Sequence, residues 1–325
     1  MTGAAGPTAG SFHGAARVLS ILCPLMLAFW LLFSQNSAIL AADEACGQAR
    51  ALIILSNTHP SYEECADGIE QFLRSYSTLM AERVTLSEAR AMGPGQAGGY
   101  SVVLPVGSDA TEFAVERFSK VPVVFSMVLD PPGELLRRPN VYGICLDLPV
   151  SRYIAWFREM IPGFNSLGVL YTESSLHKVQ EIRQQARAAG VKLVALRVDN
   201  LAELPARLDE LSARVQALLS LPDELLYNRV IAPRIIYYCI KNRLPFAGLS
   251  VNFTRAGALF SLDVDYKRLG RKAARMAVSI LRGDRPKRRL EYPDSLIPHL
   301  NLRTAKLIGL QLDARLISKF EIVVQ

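Results

Sequence analysis

Histidine is scarce in this sequence: His13, His59, His177 and His299 are the only four in 325 residues. No two of them stand four apart and no H-E-x-x-H occurs, so no local pair is set to hold zinc. The five cysteines form no C-x-x-C, which leaves zinc-ribbon and thioredoxin chemistry without a motif. A Walker A loop is missing, and no G-x-G-x-x-G opens a helix, so no phosphate-binding turn is set up for a nucleotide. G-x-S-x-G is missing as well, which removes the nucleophile elbow of α/β-hydrolases. Neither a metal nor a cofactor is expected, and nothing local argues for an enzyme. No internal repeat or low-complexity tract stands out.

Charge is nearly absent from residues 1–42, where Arg17 is the only charged side chain. Val18 to Phe33 is an uncharged apolar run, and Ala38-Ile39-Leu40-Ala41-Ala42 closes the segment with small residues. That order is a secretory signal, and the run is short of the ~20 residues a membrane span needs. Cleavage after Ala42 fits; an uncleaved anchor is the alternative. Export places the mature chain outside the cytoplasm, in the periplasm or an equivalent space. There a disulfide is permitted. Cys46 and Cys65 are the candidate pair, and four buried thiols are the other reading.

The net charge of +7 is concentrated. Residues 267–289 hold ten Lys or Arg against Asp284 alone, a net of +9. Leu269, Ala273, Met276 and Ile280 recur within it at helical spacing, so it reads as an amphipathic helix with a basic outer face. The bland reading is a solvated face. The sharper one is contact with an acidic partner or a membrane surface. Nucleic acid is not expected, since no aromatic residues interleave with these charges.

From Arg50 onward, short apolar runs alternate with helical patterns. Strand-like runs are Leu52–Leu55, Ser101–Val106, Val121–Ser126, Leu167–Tyr171, Val191–Val198, Val215–Leu221, Pro245–Leu249 and Ala258–Leu262. Such alternation predicts an α/β fold: two doubly wound parallel-sheet lobes joined by a hinge. The expected boundaries are a first lobe over 43–150, a second over 151–294, and a segment 295–325 returning toward the hinge and first lobe. A cleft between two such lobes is a natural ligand site, lined by the loops that follow strands.

Those loops are polar. Ser56-Asn57-Thr58-His59, Gly107-Ser108-Asp109, Thr172-Glu173-Ser174-Ser175, Pro222-Asp223, Ser250-Val251-Asn252 and Asp263-Val264-Asp265 each follow a predicted strand. Each residue taken alone is a helix cap more often than a ligand contact. His59 has no positioned nucleophile or second histidine, so it reads as part of a rim loop rather than as a catalytic base.

The order of segments resembles the substrate-binding proteins of ABC transporters, in the group that includes tryptophan- and tyrosine-binding members with a periplasmic binding protein type 1 fold. The matching stretches are THPSYEECADGIEQFL, VPVVFSMVLDPPG, NVYGICLDLPVSRYIAWFREMIPGFNSLGVLYTESS, NRLPFAGLSVNFTRAGALFSLDVD and LIPHLNLRTAKLIGLQLDARLI. The sequence departs from the family pattern at Arg83–Tyr100, which is short and Gly-rich, and at Tyr171–Ser174. The resemblance implies an extracytoplasmic protein that binds an amino acid or related solute by hinge closure, with a transporter permease or other membrane partner. A membrane-tethered sensory protein of the same fold is the alternative. It also implies ligand contacts near His59, Ser108, Ser126, Asp130, Ser174, Asp223, Ser250 and Asp263. Hydroxyls and helix N–H groups would hold a carboxylate, and the acids an ammonium.

Overall fold

The computed structural model describes residues 1–3, 49–76, 79–93, 98–284 and 286–325. The leader, His13, Cys46 and Arg285 of the basic segment lie outside the described residues.

The first half of the chain runs β1 (Ala49–Leu55), α1 (Pro60–Leu73), β2 (Leu79–Thr85), α2 (Leu86–Ala91), β3 (Val102–Val106), α3 (Ser108–Arg117), β4 (Val123–Val128) and β5 (Val141–Cys145). The second runs α4 (Val150–Met160), β6 (Ser166–Tyr171), α5 (Leu176–Ala188), β7 (Lys192–Arg197), α6 (Leu204–Ser212), β8 (Ala217–Leu219), α7 (Ala232–Lys241), β9 (Phe246–Gly248), α8 (Val251–Ala256) and β10 (Phe260–Val264). Then follow α9 (Tyr266–Leu281), β11 (Leu290–Glu291), β12 (Leu296–Asn301), α10 (Leu302–Leu307), α11 (Ala314–Ile317) and β13 (Glu321–Val324).

Two sheets result. The first has the order β11-β5-β4-β3-β1-β2 and is parallel throughout. The second has the order β13-β12-β10-β9-β8-β6-β7, with β10 and β12 antiparallel. Central strands buried on both faces read as unbroken apolar runs. In β1, Ala51, Ile53 and Leu55 face one helix layer and Leu52 and Ile54 the other, as a period of two requires.

The return to the first lobe does not fall at 295–325 as expected. It is made by α9 and β11: the basic helix packs on α1, and Leu290 and Glu291 pair with Gly143 and Ile144 of β5. Residues 295–325 stay with the second sheet, where β12 pairs with β10 and with β13. The chain therefore crosses between lobes three times: at residues 146–149, at Asp265, and at 292–295. The α1–α9 contact explains why α9 belongs to the first lobe. A Cβ on Gly68 would sit 2.0 Å from the Lys267 carbonyl oxygen, and one on Gly270 would sit 1.9 Å from that of Cys65. Two glycines thus let the helix backbones touch, which no bulkier pair permits.

Much of the basic face is engaged within the molecule. Arg275 and Arg282 lie over the Phe72 and Tyr76 rings at 5.9 and 5.1 Å, and Arg289 lies over Tyr142 at 5.5 Å. Lys272 Nζ donates to the Tyr292 carbonyl at 2.7 Å and pairs with Glu291 at 3.0 Å. No described helix is long and apolar enough to cross a membrane.

Candidate binding cleft

Two of the three crossings, at residues 146–149 and around Asp265, border a cavity of about 270 Å³. Its wall is formed by residues at strand ends and crossings, among them Leu129, Leu146, Leu148, Leu219 and Leu262, and by the helix residues Tyr153, Lys178, Glu181 and Tyr266. The volume lies near the lower end of the roughly 300–1,000 Å³ range typical of small-molecule sites. Parallel packing explains the position: strand C-termini of both sheets open onto it, and the chain has no continuous layer there.

The polar groups on the wall are Asp147, Lys178, Glu181, Gln185, Ser220, Ser250 and Asp263. Lys178 Nζ is 2.6 Å from Asp147 Oδ1 and 3.4 Å from Asp130 Oδ1. Asp130 also meets His177 Nε2 at 2.5 Å, so this first-lobe residue ties the two lobes together. It holds a left-handed backbone at φ 52, and its N–H donates to Asp147 Oδ2 at 2.7 Å. That strained geometry aims Asp130 at α5. Asp263 accepts from Val251 N–H at 3.1 Å (Oδ2) and 3.2 Å (Oδ1), and His299 Nε2 lies 3.3 Å away. Burial nevertheless raises the Asp263 carboxyl above its ordinary value, against the pull of those partners. Tyr153 is raised too, by burial and then by the Asp263 charge; Tyr266 follows the same pattern.

A model of a family described as ABC transporter substrate binding protein matches residues 92–322. The chain belongs to this family. A tyrosine-binding protein of Clostridioides difficile (strain R20291) is 20% identical over 191 residues, covering 56% of this chain and 55% of that protein. The match thus spans about half the length of this curated relative. The ligand-free, open structure of CD0873, a substrate binding protein with adhesive properties from Clostridium difficile, superposes with a TM-score of 0.68 at 17% identity. It covers 85% of this chain and 99% of that one. An ABC domain in complex with L-Trp from Streptococcus pneumonia gives 0.53 at 19% identity, covering 85% and 100%. These likenesses show the two-lobed fold.

Within this substrate-binding fold, two of the eight expected contacts, Ser250 and Asp263, line the cavity. The other six do not. Ser126 is fully buried in β4, its Oγ 3.5 Å from Cys65 Sγ. Cys65 is a free, buried thiol, and burial pushes it up to about 12; Cys46, its expected partner, lies outside the described residues. Asp223 is buried against the loop that follows β6, accepting from Thr172 N–H and Oγ1 and from Ser175 Oγ. Ser174 Oγ lies 2.9 Å from Thr172 Oγ1, at the surface. His59 caps α1 from an exposed turn, its Nδ1 accepting from Ser61 N–H at 3.4 Å. Ser108 is exposed in the first turn of α3. Asp130 contacts the second lobe rather than the cavity.

The N–H groups expected to hold a carboxylate already have partners. Val251 N–H is taken by Asp263, Val150 N–H by Gln185 Oε1 at 2.8 Å, Thr172 N–H by Asp223, and Ala110 N–H by Ser56 Oγ at 2.9 Å. Sequence reasoning missed Lys178, Glu181, Tyr153 and Tyr266, which sit in helices rather than in loops after strands. One signal was present. Asp147 directly follows β5, but that strand was not recognised.

Proposed function

We propose that this chain is an extracytoplasmic solute-binding protein of an ABC-type uptake system, which closes its lobes on a small amine-bearing solute, an amino acid or a related compound. The observation that carries the reading is the cavity beside two of the lobe crossings, where strand ends of both lobes meet acidic, aromatic and aliphatic side chains. Three chain crossings make a hinge that can flex while each sheet stays rigid. The Asp130 contacts to His177 and Lys178 tie the lobes at one side of the cleft. The relative named for tyrosine and the neighbour bound to L-Trp support an amine-bearing solute. The leader supports export and delivery to a membrane permease.

Binding to the folded state alone raises the melting temperature by mass action. A thermal-shift screen of amino acids, amines, sugars and organic acids on the mature protein, with native mass spectrometry of the fresh preparation, tests this. At least one small solute is expected to raise Tm in a concentration-dependent way. No shift across the screen together with no copurified small mass would sink the reading.

A further inference from the structure

The cavity wall carries one cation and three carboxylates: Lys178 against Asp147, Glu181 and Asp263. Lys178 is already matched, because two carboxylates that follow strands of the first sheet hold it, Asp147 at 2.6 Å and Asp130 at 3.4 Å. Its side chain is only 11% exposed, so it cannot turn outward to a new anion without leaving Asp147 with no counter-charge. Glu181 meets only neutral donors, Gln185 Nε2 at 2.8 Å and Tyr292 Oη at 3.1 Å. Asp263 lines the same cavity as Tyr153 and Tyr266, and its ionic contact is His299 Nε2 at 3.3 Å, outside the lining. The lining residues thus carry negative charge in excess, together with two tyrosines and several leucines.

Building on the solute-binding reading, we infer that the cleft selects an apolar organic monocation without a carboxylate of its own. Its ammonium docks on Asp263 between the rings of Tyr153 and Tyr266, and its hydrocarbon body lies against Leu146, Leu219 and Leu262. The rings add cation–π attraction to the charge pair, and water exclusion strengthens both. An α-carboxylate has no place to go. The nearby helix N–H groups are capped by Asp263 and Gln185, and the one lysine is held by Asp147 and Asp130. A zwitterion would bring its carboxylate toward Asp147 and Glu181 and meet like charge.

Paired probes test this on the mature protein: isoamylamine against L-leucine and 4-methylpentanoate, and tyramine against L-tyrosine and 3-(4-hydroxyphenyl)propionate. Thermal shift and calorimetry are run at one pH and salt concentration. In at least one series the amine is expected to bind ten-fold or more tightly than its amino acid, with no response to the acid. Asp263→Asn is expected to weaken that amine ten-fold or more while ligand-free Tm is kept. Glu181→Gln, at an exposed helix position, gives a second variant that weakens the amine without endangering the fold. An amino acid binding as tightly as its amine overturns the inference and leaves the solute-binding reading standing, as does a hit confined to neutral solutes. Silence from these probes and from the wider solute screen overturns both.

Discussion

Asp223 follows β8 and Asp263 lies in β10, two strands apart in the second sheet, and their surroundings differ in kind. Asp223 accepts from Thr172 N–H and Oγ1 at 3.0 and 2.7 Å, from Ser175 Oγ at 2.6 Å, and from Leu225 and Leu226 N–H at 3.1 Å each. Burial raises its carboxyl, but the donors, Ser175 and Thr172 foremost, outweigh burial and hold it below the ordinary range. Asp263 has one backbone donor and an imidazole, and burial wins. A carboxylate saturated by a neighbouring loop and its own is a structural clamp. One left under-matched at a cavity wall is held there at a cost to stability, and such groups gather at functional sites. The same residue type, once after a strand and once near the end of one, therefore serves two ends in one sheet, and donor count tells them apart.

The sharpest way to break the comparison is to remove each carboxylate. Asp223→Ala removes the shared acceptor of the Thr172 and Leu226 N–H groups and the Thr172 and Ser175 hydroxyls, leaving Leu226 N–H without a partner and the others only the bonds among Thr172, Ser174 and Ser175. At about 1–3 kcal/mol for each donor left unsatisfied, and with water re-entering for some, the loss should reach about 3 kcal/mol or more. Urea unfolding measures it; a loss under about 1 kcal/mol would mean that Asp223 is no clamp. Asp263→Asn keeps an oxygen for Val251 N–H and removes a charge that burial opposes. Its ligand-free stability at neutral pH is expected to match or exceed the parent, by the same unfolding measurement. A fall comparable to that of Asp223→Ala would make the two aspartates alike and end the distinction.

Acid and alkali separate them further. The ordinary aspartate value is 3.8 for both. The folded value of Asp223 lies below it, so the stability this group contributes is complete above 3.8 and is lost as pH falls through the lower folded value. That of Asp263 lies above it, so its contribution is present below 3.8 and is lost as pH rises through the higher folded value. The groups facing Asp263 are His299 on β12, Arg255 on α8, Tyr153 on α4 and Tyr266 at the start of α9, with Glu321 on β13 beyond the histidine. Melting curves across pH should show Asp223→Asn flattening the limb below 3.8 and Asp263→Asn flattening the slope just above it. The reverse assignment would refute the comparison.

The strands that frame both aspartates were legible wherever they are central. Ala51–Leu55, Val102–Val106 and Val123–Val128 are buried on both faces and show as plain apolar runs. Edge strand β2 was not, because Glu82 and Arg83 sit within it and edges carry charge. Its neighbour α2 did carry a local signal, the capping box in which Thr85 and Glu88 satisfy each other's backbone N–H groups. The amphipathic pattern of α9 showed which face is buried but not which sheet it covers. That depends on Gly68 meeting Lys267 and Gly270 meeting Cys65 across the two helices, contacts with no periodic trace in the sequence. At the site, polar residues after strands led to Ser250 and Asp263. The same rule could not separate Asp223 from Asp263, since the donors that saturate Asp223 come mostly from Thr172 and Ser175, 48 to 51 residues earlier. Lys178 and Glu181 lie one turn apart on a helix otherwise rich in surface charge, where nothing marks an inward side.

The smallest effects are expected from two serines that differ as the aspartates do. Ser175 is 1% exposed and donates to Asp223 at 2.6 Å, so Ser175→Ala removes one charge-assisted bond from a clamp that keeps several others. A loss of about 1.5 kcal/mol fits a hydrogen bond to a charged group. Ser250 makes no capping bond at the start of α8 and sits half-buried at the cavity wall. Ser250→Ala should leave unfolding within about 0.5 kcal/mol of the parent, as substitutions away from packed or bonded features do. Parallel urea titrations of the two variants decide it. Equal losses would show that loop saturation at Asp223 is shared by the cavity wall, and that donor count does not divide the clamp from the binding site.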